Sequence, residues 1–138
     1  MATDMENRMR ELARAISEHD IERVLSFFAD DIFYEEVNVG GEVAHGKEEL
    51  RTRFQNLFTA CPDIRVEITS YLNSGDRECV EWTSSGTHKG DMPGLPATGK
   101  RFSFREVIVT ELREGQISRF SLYTDMMTIM QQVGAVSE

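Results

Sequence analysis

Among the side chains in the second half of the chain able to move a proton, three stand out by their place in the pattern: His88, Glu106 and Asp125. His88 closes the run Glu81-Trp82-Thr83-Ser84-Ser85-Gly86-Thr87-His88-Lys89-Gly90, ahead of a loop punctuated by Pro93, Pro96 and Gly99. An imidazole titrates near neutrality, so it can donate to a developing enolate or exchange a proton with it. On an extended strand Val80, Trp82, Ser84, Gly86 and His88 share one side. That row supplies an aromatic wall, a hydroxyl, open space and then the imidazole; the other reading is a loop histidine that bonds backbone.

Glu106 interrupts an apolar row of Phe102, Phe104 and Ile108. A carboxyl on such a row, if it faces a core, must be paired, neutral or functional. Asp125 stands where the last strand gives way to the last helix. It could abstract a proton next to a carbonyl if apolar surroundings raise its basicity, and it is equally a good helix N-cap. We take His88, Glu106 and Asp125 as the candidate catalytic set.

Around them, Trp82, Phe102 and Phe104 are expected to hold the apolar body of a ligand, with Ser84 as a hydrogen-bonding group. Ser121 and Tyr123 share parity with Asp125 and are read as a polar row of the same pocket. Glu36 ends the first strand; alternation lets only one of Glu35 and Glu36 face inward. Tyr34 is placed on the face opposite Glu36, which leaves Glu36 without a partner donor. His19, between two helices, and His45, ahead of Gly46, carry no obvious partner. Three dispersed histidines and the two cysteines, Cys61 and Cys79, match no metal spacing and no disulfide framework, so no metal is expected.

The whole chain narrows the function classes. Its 138 residues fit one domain over 1–138, and an apolar fraction of 40% with eight phenylalanines can build a core. A net charge of -9 argues against nucleic-acid binding, which needs a basic surface. No apolar stretch approaches the roughly 20 residues of a membrane span, and no secretory h-region opens the chain, so a cytoplasmic protein without membrane contact is expected. Phosphate loops, dinucleotide fingerprints and nucleophile elbows are absent from the sequence.

These groups must be positioned by a legible series of elements. Thr3-Asp4-Met5-Glu6 has capping-box form, and Met5, Met9, Leu12 and Ile16 recur at helical spacing. Asp20 can cap a second helix that buries Ile21, Val24, Leu25 and Phe28. A strand from Ile32 to Val37, a Gly40-Gly41 turn and a short strand over Glu42–Ala44 precede a helix from Lys47 to Phe58, ended by Cys61-Pro62. Then Ile64, Val66, Ile68 and Leu72 alternate with Arg65, Glu67 and Tyr71. Further strands run over 78–87, 101–112 and 116–123, and a helix from Asp125 to Val133 meets Gly134 as its C-cap.

This order resembles the nuclear-transport-factor-2-like fold, an α+β cone in which a curved, mixed or mainly antiparallel sheet wraps packed N-terminal helices. More narrowly, Gly86-Thr87-His88-Lys89-Gly90, Thr98-Gly99-Lys100, Gly115-Gln116-Ile117, Tyr123-Thr124-Asp125 and Gln131-Gln132-Val133-Gly134 are similar to signature blocks of SnoaL-like polyketide cyclases. The resemblance implies a pocket for a small hydrophobic molecule inside the cone and a homodimer through the outer sheet. It also implies aldol ring closure by acid/base chemistry without a cofactor. Glu36 falls near the proton-shuttling carboxylate of ketosteroid-isomerase-like relatives, which implies carbonyl isomerisation as an alternative. A non-catalytic ligand-binding or homodimeric interaction protein is the other alternative. One departure is visible: cyclases carry more polar character in the last long strand than Phe120-Ser121-Leu122-Tyr123 provides.

Overall fold

A computed structural model describes residues 2–38, 41–92 and 95–136. Gly40 of the expected turn and Pro93 of the expected loop lie outside them. Thr3 caps the first helix, α1 (Asp4–Ser17), by accepting from the Glu6 amide at 3.1 Å. Its apolar stripe buries Met9, Leu12 and Ile16. His19 takes φ 58°, which turns the chain sharply into α2 (Ile21–Ser26), capped by Asp20. The His19 ring stacks on Phe58 at 4.6 Å and meets the Ile64 carbonyl at 3.3 Å, so its work is structural.

The second helix ends two residues earlier than expected, at Ser26. Phe28 is the first residue of β1 (Phe28–Glu36), because sheet pairing with Ile117 captures the backbone there. β2 (Glu42–His45) returns antiparallel to β1, and α3 (Gly46–Ala60) follows. Then come β3 (Arg65–Ser74), β4 (Arg77–Thr87), β5 (Arg101–Arg113), β6 (Gln116–Thr124) and α4 (Met126–Gln132). Among the described residues the strands form one curved, unclosed sheet in the order β2-β1-β6-β5-β4-β3. Every neighbouring pair is antiparallel except β1 with β6, so the sheet is mixed.

Helices α1 and α3 cover the concave face, giving the α+β layer arrangement. Leu12, Val24, Leu50, Ile32, Val80, Ile108 and Phe120 meet there in one core. A register shift between Ile68 and Ser70 corrects the expected alternation of β3. Such a bulge reverses the facing of everything beyond it. Leu72 is therefore 67% exposed, while Tyr71, opposite the buried Val80, turns inward. No described helix is long and apolar enough to cross a membrane.

Candidate functional site

A cavity of about 170 Å³ opens between the concave sheet, α3 and α4. Phe54, Leu57, Phe102, Phe104, Met126 and Ile129 are among its apolar walls. Its polar end is built by strand register. Glu106 lies directly opposite Trp82 on β4 and Thr124 on β6, so those two neighbours flank it across the ladders. Trp82 Nε1 and Ser84 Oγ each donate to Glu106 Oε1 at 2.9 Å. Among the described residues Oε2 takes no hydrogen bond.

Glu106 is only 8% exposed, and burial pushes its carboxyl pKa up; the bonds from Trp82 and Ser84 and the nearby Thr124 hydroxyl pull the other way, less strongly. Negative charge on Glu36 adds to the upward shift. Thr124 Oγ1 is itself buried on the cavity wall with no partner in hydrogen-bonding geometry, leaving it open to a ligand. Its influence on Glu106 is one of proximity, not of a formed bond.

Glu36 lines the same cavity. Tyr34 and Glu36 are two residues apart on β1 and share its inner face, which corrects their expected separation: Tyr34 OH donates to Glu36 Oε2 at 3.0 Å. Burial first, and then the Glu36 charge, raise the Tyr34 phenol well above its ordinary range, so it stays a donor. Arg53 reaches over from α3, donating through Nε to Glu36 Oε2 at 2.8 Å and pairing with Glu42 as well. Its guanidinium stands 5.7 Å from the centre of the Tyr34 ring.

Other expected site residues fall elsewhere. His88 does point inward, but it is fully buried beyond the end of β4 and is not among the cavity walls. Its Nδ1 pairs with Thr98 Oγ1 at 3.1 Å, and its backbone bonds Lys100 and Gly99, which ties down the loop before β5. Asp125 is exposed and caps α4 through the Thr128 amide at 3.1 Å; the Thr128 hydroxyl and amide hold its carboxyl pKa low. That is the opposite of what a base in an apolar pocket requires. Asp125→Ala is expected to lower the melting temperature, whereas Asp125→Asn keeps the cap and the melting temperature; thermal denaturation of both checks this.

Ser121 and Tyr123 lie on the outer face, not in the cavity. Ser121 Oγ donates to Glu35 Oε1 at 2.8 Å, and Tyr123 stands exposed beside Arg77, Glu111 and Arg119. The inner row of β6 is Phe120, Leu122 and Thr124. Its physical signal was present, since two large apolar residues on one parity mark the core side. Arg53 had no such signal; an arginine on a helix reads as surface.

The family model for SnoaL-like polyketide cyclases matches residues 6–133. The chain belongs to that family. Its SnoaL-like architecture recurs in TsrD from Streptomyces laurentii, at TM-score 0.86 and 20% identity over 99% of both chains. AclR from Streptomyces galilaeus, described as a candidate hydroxylase, superposes at TM-score 0.83 with 19% identity over 97% of this chain and 98% of its own. IdmH from Streptomyces antibioticus, described as a candidate polyketide cyclase, does so at TM-score 0.81 with 21% identity over 96% and 99%. At such identities the likeness is one of fold. Among curated proteins none is similar enough in sequence to count as a match.

Proposed function

We propose that this SnoaL-like protein catalyses acid/base chemistry on a small hydrophobic carbonyl compound, with Glu106 as the acid. The observation that carries the reading is a buried carboxyl at the polar end of an apolar cavity, fixed through Oε1 by Trp82 and Ser84. Burial favours its neutral form, so Oε2 is the atom that offers a proton to a substrate oxygen. Glu36, oriented by Tyr34 and Arg53, is the second carboxyl of the cavity and serves as proton acceptor.

In this scheme the C–H bond next to the carbonyl breaks, its proton passes to Glu36, and the electron pair moves onto the carbonyl oxygen. Glu106 stabilises that oxygen by hydrogen bond or proton transfer. Ring closure follows if the enolate carbon attacks a second carbonyl, whose oxygen takes the proton held by Glu36. Isomerisation follows if Glu36 returns the proton at another carbon. In both, Glu106 recovers any proton it gave as the first carbonyl re-forms. Apolar cavities of about 150 Å³ hold a benzene-sized guest, so a larger polycycle extends through the open mouth. The outer sheet face, with half-buried Val107 and Val109 beside exposed Tyr123, is the surface we assign to a homodimer.

Proton exchange at the α-carbon of 2-tetralone in D₂O, followed by NMR, tests the reading without knowledge of the natural substrate. Catalysed exchange is expected for the native chain. Glu36→Gln should reduce it by about 10²-fold or more, the usual scale of a positioned base. Binding of the ketone without any exchange, in a folded protein, would leave the non-catalytic ligand-binding role as the better account.

A further inference from the structure

A second buried carboxylate lies at the opposite end of the cone, and the proposed chemistry makes no use of it. Glu78, on β4, is 4% exposed. Its cross-strand neighbour Thr110 donates to Oε1 at 2.7 Å, and Tyr71 donates to Oε2 at 2.5 Å. The bulge in β3 is what swings Tyr71 into reach. Burial, and then the Glu78 partnership, raise the Tyr71 phenol, which keeps it a donor. Two hydroxyls aimed at the two oxygens suit an anion, yet among the described residues no Lys or Arg pairs with Glu78. A buried carboxylate without a counter-charge is expensive.

Above Glu78 is a separate cavity of about 210 Å³ whose walls include Met5, Met9, Leu12, Phe27, Leu112 and Ile117. It shares no wall residue with the cavity of Glu106. Asp4 and Arg8 border it from the first turns of α1. Arg8 lies 5.9 Å from the centre of the Phe27 ring and makes no hydrogen bond to Glu78. Glu6, which also acts on Tyr71, is engaged by Arg10.

We infer that this end of the cone is a second ligand site, which takes a small protonated amine on an apolar stem, its ammonium against Glu78 and its stem against Phe27, Met9 and Leu112. The ammonium supplies the missing counter-charge, and each carboxylate oxygen retains a lone pair beyond its hydroxyl bond. The volume admits one ring or a short chain, given that about 150 Å³ suffices for benzene.

The probes are 2-phenylethylammonium, its neutral analogue 2-phenylethanol and the anion phenylacetate, titrated into the isotope-labelled full chain by NMR. The amine is expected to bind at least about tenfold more tightly than the alcohol, as a hydrogen bond to a charged group implies, and phenylacetate more weakly than either. Shifts should centre on Phe27, Tyr71, Glu78 and Thr110. Glu78→Gln should abolish the preference for the amine while leaving the alcohol's affinity within about twofold. Met5→Trp, which narrows the cavity without touching Glu78, should weaken the amine about tenfold and decides the matter if Glu78→Gln does not fold. Equal binding of amine and alcohol, a preference that survives Glu78→Gln, an amine affinity unchanged by Met5→Trp, or shifts confined to Trp82 and Glu106 would overturn the inference.

Discussion

Glu106→Gln is expected to lower turnover of a hydrophobic ketone by about 10²–10⁴-fold while leaving the protein folded, because positioned proton transfer contributes on that scale. The substitution is nearly isosteric. The amide oxygen can still accept from Trp82 and Ser84, which both bond Oε1 in the native site. The amide nitrogen then takes the place of Oε2 and can donate a hydrogen bond, but it cannot surrender a proton. Steady-state kinetics on the folded variant therefore separates proton transfer from simple polarisation of the oxygen. Alanine is the wrong test, since it would leave the Trp82 and Ser84 donors buried without an acceptor. A variant with native turnover would remove Glu106 from the reaction.

The same residue predicts a pH signature. Its carboxyl pKa is raised in the fold, so the folded state holds the proton more tightly than the unfolded chain does. Stability contributed by that proton is complete below the unfolded carboxyl range and is lost as pH rises through the folded value. Glu106→Gln should erase this loss, so the stability difference between variant and native protein grows with pH. Asp63 and Asp125 act in the opposite sense, since their hydrogen bonds hold the pKa down and their contribution is lost on acidification. Denaturant titrations of both proteins across pH 4–8 isolate the share of Glu106 and its coupling to Glu36, because groups remote from them cancel in the difference.

The largest effect on stability is expected at Phe120. Its ring is 2% exposed, stacks on Tyr34 at 5.2 Å, and meets Phe28 at 5.7 Å and Trp82 at 6.3 Å. It thus links β1, β4 and β6 at one point. Phe120→Ala removes that ring from a packed core, a change that costs about 3–5 kcal/mol. For a domain of this size the melting temperature should fall by roughly 10–20 °C. Phe104→Ala, on the half-buried cavity wall, should cost distinctly less, because water already reaches that side. Equal losses at the two positions would mean that the core is not organised around Phe120.

How much of this was legible follows from how each residue's facing is decided. Trp82, Ser84, Phe102 and Glu106 were readable because long, regular strands transmit parity without error. His88 obeyed parity too, yet depth is not a parity property, and it went past the cavity into packing at the loop base. On β6 the polar parity of Ser121 and Tyr123 looked functional, whereas the apolar parity of Phe120 and Leu122 is what the core selects. Leu72 and Tyr71 were unreadable, since one bulge exchanges their faces and no residue type announces it. Tyr34 needed only the period of two. Arg53 required three-dimensional knowledge that α3 crosses β1 and β2.

The lone parallel pairing, β1 with β6, has a consequence for the order in which the molecule can form. Glu35 and Ser121 are bonded across 86 positions of sequence, as are Asn38 and Thr124. The hairpins β3–β4–β5–β6 can zip locally, but Glu36 meets Glu106 only after a loop spanning most of the chain has closed. Contacts so distant are slow to form. Before β6 docks, β4 and β5 can therefore hold Glu106 against Trp82 and Ser84 while Tyr34 and Arg53 hold Glu36 in a separate part of the fold. The two carboxyls of the proposed acid/base pair would then be built on separate parts of the sheet and joined only when β6 docks between β1 and β5.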